Sequence, residues 1–173
     1  MMMQMLKAGG IAPITDGLRT ADISNAKGYF EHESVKDLPQ GNYSCLEGAQ
    51  GKAIKVISTL LEHLPEDCQY KIIFMNRAMD EILASQKAML KSLDSKAIQD
   101  NDFHLRRRYQ SHLKQTSQWM FQQSNIDVLY LSYDDLIQSP KLHVNFLMDF
   151  LGARLNHKRM VKVVDQTMRN HSQ

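Results

Sequence analysis

Cysteine is scarce in this sequence. Only Cys45 and Cys68 occur among the 173 residues, and two thiols at this separation exclude a disulfide framework and a thiolate metal site. The seven histidines show no i, i+4 pair or other metal-binding spacing. We therefore expect no bound metal, and a cytoplasmic protein suited to a reducing compartment.

Long hydrophobic runs and a strong charge of one sign are also missing. The apolar start, Met1 to Leu6, is short and is followed by Lys7, so it predicts neither a signal peptide nor a membrane span. The formal net charge is only +2, which is too small to drive nucleic-acid binding through bulk charge. We expect neither a membrane nor a nucleic acid as a partner.

The rest of the composition is that of an ordinary globular domain, with 43% hydrophobic and 23% charged residues. The length is sufficient for one domain with a core, and we predict a single domain over residues 1–173. Short apolar runs at residues 52–57, 70–75 and 127–131 predict strands, and helical patterns lie around them. This alternation predicts an α/β fold, a parallel sheet flanked by helices.

The predicted helix that precedes Gly152 has the clearest limits. Ser139 and Pro140 start it, because serine is a good N-cap and proline fits the first helical position, and Gly152 ends it. Its predicted buried residues are Phe146, Leu147, Phe150 and Leu151. The other predicted helices cover residues 1–8, 59–63, 79–90, a long segment that Asn101 or Asp102 caps, and 157–164, with a helical turn at 34–38 that Pro39 stops.

The most informative segment follows the predicted strand at 70–75. Arg77 lies at the carboxyl end of this strand, and Ser85 lies eight residues later, in a segment whose apolar residues recur at helical spacing. A guanidinium and a hydroxyl that face one point are suited to binding a phosphate. The alternative is an arginine at a sheet edge and an ordinary helical serine.

This arrangement resembles the PAPS-dependent sulfotransferases, where PAPS is 3′-phosphoadenosine 5′-phosphosulfate. In that family an arginine and a serine at this spacing hold the 3′-phosphate, which implies the same role for Arg77 and Ser85 and implies PAPS as co-substrate. The segment from Val128 to Pro140 resembles the family's strand followed by Tyr-Glu-Asp and proline. It implies that Tyr133 lies near the adenine, the alternative being a tyrosine that packs a strand-to-helix corner. The loop at residues 25–31 also resembles one in bacterial members.

The resemblance implies a P-loop NTPase-like sheet, whose first strand leads into a phosphate-binding loop of the type Pro-Arg-Ser-Gly-Thr-Ser. No such segment occurs, so we expect the first strand and the phosphate loop to be absent and the chain alone to be inactive. Residues 48–53 do not replace the loop, because the spacer is too short, no serine or threonine follows Lys52, and the next predicted element is a strand.

The catalytic residues implied by the resemblance are Lys55 and Glu31. The family's Lys-Thr-His arrangement has no histidine in this sequence, and Lys55 is left to face the sulfuryl group unless it is a solvated strand-end lysine. Some sulfotransferases use a glutamate to take the acceptor's proton, and Glu31 is the candidate here, with His32 and Glu33 as alternatives. Arg169 is a faint counterpart of the family's late basic motif.

We interpret the chain as a sulfotransferase-like domain that in complete form transfers a sulfuryl group from PAPS to a hydroxyl or amine acceptor. The acceptor, a small molecule or a biopolymer, is not encoded in a recognisable motif because acceptor pockets are built from variable loops. The alternative is a non-catalytic binding or interaction module of the same family. The missing strand also predicts self-association through exposed sheet edges.

Overall fold

The structure is a two-stranded parallel sheet flanked by helices, which confirms the predicted α/β class. It is a computed structural model and describes residues 1–18, 29–92 and 102–164, without the side chains of residues 86–92. The strands are β1 (Tyr70–Asn76) and β2 (Ile126–Ser132). The α-helices are α1 (Met2–Gly9), α2 (Met79–Ser92), α3 (Asp102–Gln122), α4 (Tyr133–Gln138), α5 (Pro140–Leu151) and α6 (His157–Val163); 3-10 helices cover Glu33–Gln40, Ser44–Leu46 and Ser58–His63.

The sheet pairs β1 and β2 directly, residue by residue. The register runs from Tyr70 opposite Ile126 to Asn76 opposite Ser132, so that both strands end at the same level. The strands predicted at 70–75 and 127–131 are therefore confirmed, each with one or two additional residues. Their apolar side chains are suited to a sheet whose faces are covered by other elements. The carboxyl end of this sheet is where the candidate site lies.

The third predicted strand, at residues 52–57, is wrong. Among the described residues, the segment makes one isolated parallel bridge, between Pro13 and Ala53, and no further strand pairing. Its side chains do alternate. Ile54 and Val56 pack on a small core, whereas Lys55 and Ile57 are exposed to solvent. An alternating pattern reports which side chains are buried, but a ladder also needs a neighbouring backbone, and none in the described ranges continues past the bridge.

The main core lies between one face of the sheet and four helices. Its buried residues come from α1, β2, α4, α5 and α6, and are Met5, Leu131, Leu136, Val144, Leu147 and Met160. Helix α1 packs closely against α6. A Cβ added at Gly9 would lie only 2.7 Å from Sδ of Met160. A glycine at this position therefore permits the contact between the two helices.

Helix α5 has the predicted limits, and of its predicted buried residues Leu147 is fully buried while Phe150 and Leu151 are half-buried. It begins at Pro140 and ends at Gly152, whose φ of 65° is the left-handed conformation that glycine adopts readily. Val144 and Leu147 are fully buried, as helical spacing requires, whereas Phe146 is 44% exposed. The prediction that Phe146 is buried is wrong because it lies outside the face that Val144 and Leu147 define.

Two local signals were misread in the sequence. Helix α4 was not predicted, although Ser132 caps it by accepting a hydrogen bond from the backbone N–H of Asp135 at 3.2 Å. Pro39 does not stop the turn at 34–38, because the 3-10 helix continues through it to Gln40 and ends at Gly41, with φ of 74°. The lack of an N–H in Pro39 costs little near the end of so short a segment. The remaining predicted helices are confirmed to within two residues, the one at 59–63 as a 3-10 helix.

Candidate functional site

Arg77 and Tyr133 meet at the carboxyl end of the sheet. Each is the first residue after its strand, and the paired ends of β1 and β2 bring them to the same level. The guanidinium carbon of Arg77 lies 5.0 Å from the centroid of the Tyr133 ring, within the range of a cation–π interaction. Two of the three predicted cofactor-binding residues therefore form one cluster, at the edge where parallel sheets usually bind ligands.

Arg77 also contacts Glu81, which the sequence analysis did not single out. Nε of Arg77 donates to Oε2 of Glu81 at 2.7 Å, and the side chains are 31% and 20% exposed. Glu81 lies in the first turn of α2, four residues after Arg77. Opposite charges at this spacing commonly pair, and this spacing was the signal by which the sequence could have identified Glu81.

Ser85, the third predicted cofactor-binding residue, is exposed on α2. It lies four residues beyond Glu81, which corresponds to a rise of about 6 Å along the same helix face. In the described part of the chain, no contact joins Ser85 to Arg77. Ser85 therefore lies on the face of α2 that carries Glu81, the residue that contacts Arg77.

A second ion pair joins α2 to α3. Arg106 contacts the carboxylate of Asp80, the residue next to Glu81. The three arginines at 106–108 point in different directions around α3, and Arg107 and Arg108 are exposed. The first turn of α2 thus carries two adjacent carboxylates that contact different arginines.

The two predicted catalytic residues, Lys55 and Glu31, contact each other. Nζ of Lys55 donates to Oε1 of Glu31 at 2.7 Å, and the side chains are 41% and 32% exposed. Neither residue lies in a helix or a strand. Their contact depends on how two irregular segments are held together.

The segment at residues 12–16 connects the backbones that carry Lys55 and Glu31. On one side, the N–H of Ile14 donates to the carbonyl of Ala53 at 2.7 Å. On the other side, the hydroxyl of Thr15 donates to the carbonyl of Glu31 at 2.9 Å. This segment therefore positions both predicted catalytic residues.

Asp16 fixes the segment around Glu31 further. Its carboxylate accepts hydrogen bonds from the backbone N–H of Glu33 at 2.5 Å and of Leu18 at 2.9 Å. These bonds, that from Glu33 above all, hold the pKa of Asp16 below its ordinary value of 3.8. Asp16 had no signal in the sequence, because its partners are backbone groups that a residue pattern does not reveal.

The backbone before Glu31 is in an unusual conformation. Phe30 has a φ of 51°, in the left-handed region that residues other than glycine rarely adopt. The ammonium of Lys7 lies 5.8 Å from the centroid of the Phe30 ring. Nδ1 of His32 is buried and has no hydrogen-bond partner within the described chain. The earlier part of this predicted loop, residues 25–28, lies outside the described residues.

A histidine does approach the segment that follows Lys55, although it comes from a distant helix. Nε2 of His112, on α3, lies 2.8 Å from the hydroxyl of Ser58 and 3.5 Å from that of Thr116. This part-buried contact joins α3 to the 3-10 helix at Ser58–His63. The sequence could not predict it, because the two residues are far apart in the chain.

The described ranges contain neither a candidate metal cluster nor a candidate membrane-spanning helix. No group of three or more His, Cys, Asp and Glu side chains is placed to hold a metal ion there. No helix in these ranges combines the length and the apolar character needed to cross a membrane. Arg169, the faint candidate for a late basic motif, lies outside the described residues.

Comparison with known proteins gives one match. Residues 50–173 match the family model of the sulfotransferase domain. The matched range includes Lys55, Arg77, Ser85 and Tyr133, and it leaves Glu31 outside. No curated protein and no solved structure matches the chain.

Proposed function

Since the chain belongs to the sulfotransferase family, we propose that it binds PAPS and acts in the transfer of its sulfuryl group to a hydroxyl or amine acceptor. The observation that carries this proposal is the contact between Arg77 and Tyr133 at the carboxyl end of the sheet. A guanidinium and an aromatic ring are the groups that a nucleotide with an additional phosphate requires, one for the phosphate and one for the base.

The cofactor-binding roles follow from the chemistry of each side chain. Arg77 binds the 3′-phosphate through two parallel N–H donors, which gives both charge and geometry. Ser85, exposed on α2, adds a hydroxyl to the same phosphate. Tyr133, whose ring already lies against Arg77, borders the adenine. Together these residues select a nucleotide that carries a 3′-phosphate.

In the proposed reaction the acceptor oxygen or nitrogen attacks the sulfur. A new bond to sulfur forms, the bond between sulfur and the oxygen bridging it to the 5′-phosphate breaks, and adenosine 3′,5′-bisphosphate leaves with that electron pair. The acceptor's proton passes to the carboxylate of Glu31. A carboxyl group that gains this proton loses its negative charge, and its attraction for Lys55 weakens. The Lys55 ammonium then stabilises the charge on the oxygens of the transferred group.

Calorimetric titration of the full chain tests the nucleotide site. We expect the wild type to bind adenosine 3′,5′-bisphosphate more tightly than adenosine 5′-monophosphate, which lacks the 3′-phosphate. Arg77→Ala should weaken bisphosphate binding by roughly 1.5–3 kcal/mol, the contribution of a charged hydrogen bond, and leave monophosphate binding unchanged. The matched control is Arg107→Ala, which removes the same charge from an exposed position on α3.

Two results would contradict the nucleotide site. One is equal binding of the two nucleotides by the wild type, and the other is equal bisphosphate binding by the wild type and Arg77→Ala. Production of adenosine 3′,5′-bisphosphate from PAPS with a panel of hydroxyl and amine acceptors then tests transfer. Transfer by the chain alone would refute the expectation that it is inactive without the phosphate loop, and binding that depends on Arg77 without transfer would agree with that expectation.

A further inference from the structure

The guanidinium of Arg77 is held on two of its sides. Glu81 accepts from Nε at 2.7 Å, and the Tyr133 ring lies against the guanidinium at 5.0 Å. Within the described chain, the terminal Nη1 and Nη2 groups have no hydrogen-bond partner. The guanidinium has five N–H donors in a rigid fork, so the edge formed by its two terminal nitrogens stays available for a ligand.

We propose that Glu81 is a positioning residue, which fixes the Arg77 guanidinium so that its terminal edge receives a phosphate. This inference rests on the proposed function, because it assigns a role within the same anion site. A free arginine side chain loses rotational freedom when it binds an anion, and that loss weakens binding. Glu81 and Tyr133 impose much of this order before the ligand arrives.

The position of Glu81 supports a fixed carboxylate. It lies in the first turn of α2, a helix of 14 residues whose N-terminal end favours negative charge. The backbone N–H of Glu81 donates to the carbonyl of Ala78 at 3.1 Å, which orders the start of the helix. The side chain is only 20% exposed. Its carboxylate therefore has a defined place beside Arg77.

The negative charge of Glu81 could have the opposite effect, repulsion of the phosphate, and an experiment can distinguish the two effects. A carboxylate beside an anion site repels the anion. If repulsion were its main effect, removal of the carboxylate would tighten phosphate binding. If positioning is its main effect, removal weakens binding, and glutamine, whose amide oxygen still accepts from Nε, restores it.

Titration with adenosine 3′,5′-bisphosphate separates the two effects. We expect Glu81→Ala to weaken binding roughly 2- to 12-fold, from the cost of immobilising one long side chain, and Glu81→Gln to bind within about twofold of wild type. The matched control is Asp80→Ala, which removes the neighbouring carboxylate of the same helical turn, a partner of Arg106 instead of Arg77. Glu81→Ala should have no effect in a protein that already carries Arg77→Ala.

Equal or tighter binding by Glu81→Ala would overturn the proposal, as would failure of Glu81→Gln to restore binding. The Nε–H resonance of Arg77, assigned with Arg77→Lys, provides a readout that needs no ligand. It should be protected from exchange in wild type and Glu81→Gln and unprotected in Glu81→Ala. If the wild type binds no bisphosphate, the proposed function fails, and an Nε–H that is equally protected in Glu81→Ala would then also overturn the positioning role.

Discussion

The ammonium of Lys55 donates to the carboxylate of Glu31 at 2.7 Å, although 24 residues separate the two in the chain. Both side chains are partly exposed, and both lie in irregular segments that residues 12–16 hold together. Partly exposed pairs of this kind contribute little to stability. We propose that the surrounding backbone holds these two groups in position for the reaction.

A double-mutant cycle on Lys55 and Glu31 tests this interpretation. We expect a coupling free energy of about 0.2–1 kcal/mol between Glu31→Gln and Lys55→Met, the usual range for exposed ion pairs, measured by urea denaturation. If transfer is observed, Glu31→Gln should lower kcat about 10²- to 10⁴-fold, as loss of a general base does. A large coupling free energy with an unchanged kcat would mean that the pair is structural.

Asp16 gives the segment around Glu31 a dependence on pH. The pKa of Asp16 is lowered in the folded protein by backbone N–H donors, the first of them that of Glu33. The stability it adds is present above its unfolded-state pKa and is lost as the pH falls through the folded-state pKa. We expect Asp16→Asn to melt at a lower temperature than wild type at about pH 7, and the difference to shrink below about pH 4. Thermal melts that show a difference independent of pH would contradict this.

The contact between α1 and α6 predicts the effect of a single methyl group. A Cβ on Gly9 would lie 2.7 Å from Sδ and 2.9 Å from Cγ of Met160, which is fully buried, so that the methionine side chain would have to shift. We expect Gly9→Ala to destabilise the protein by about 1–3 kcal/mol through overpacking, despite the better helix propensity of alanine.

The control for Gly9 is the same substitution in a Met160→Ala protein, where the space is open. There Gly9→Ala should be neutral or stabilising in chemical denaturation. A destabilisation of equal size in both backgrounds would place the cause in α1 itself.

The unpaired edges of the two-stranded sheet lead us to expect self-association. Within the described residues β1 and β2 pair only with each other, and Tyr130 on β2 is 45% exposed. Two strands alone make a marginal sheet, and unpaired edges recruit further strands. We expect sedimentation velocity to show association that increases with concentration, and Tyr130→Lys to reduce it. A single monomeric species at high concentration, with a cooperative melt, would refute this expectation.

The sequence predicted those parts of the fold that depend on neighbouring residues. Strands β1 and β2 are short apolar runs, and α5 begins and ends at Pro140 and Gly152, residues whose backbone preferences act locally. The strand at 52–57 failed because a strand is defined by a partner backbone, which a pattern does not contain. The prediction that Phe146 is buried failed because an apolar residue at the edge of a helix face is not necessarily buried.

The residues of the candidate site also differ in whether the sequence indicates them. Arg77 and Tyr133 were found because both match motifs of the family that the sequence resembles, each near the carboxyl end of a predicted strand, and parallel strands bring these ends together. Glu81 had a local signal in its spacing from Arg77. The contact between Lys55 and Glu31 had none, because it depends on hydrogen bonds from Thr15 to a backbone carbonyl. Such bonds do not select for a recognisable sequence.

The equal length of the two strands has a consequence for how this chain tolerates change. Each strand contains seven residues, and the two are paired from first to last. Substitution of one apolar strand residue by another keeps Arg77 beside Tyr133, whereas an insertion of one residue in either strand would turn the following side chain to the opposite face. Selection that preserves this pair would therefore act on residue count more strictly than on residue identity, and small insertions or deletions in β1 and β2 should be rarer than substitutions.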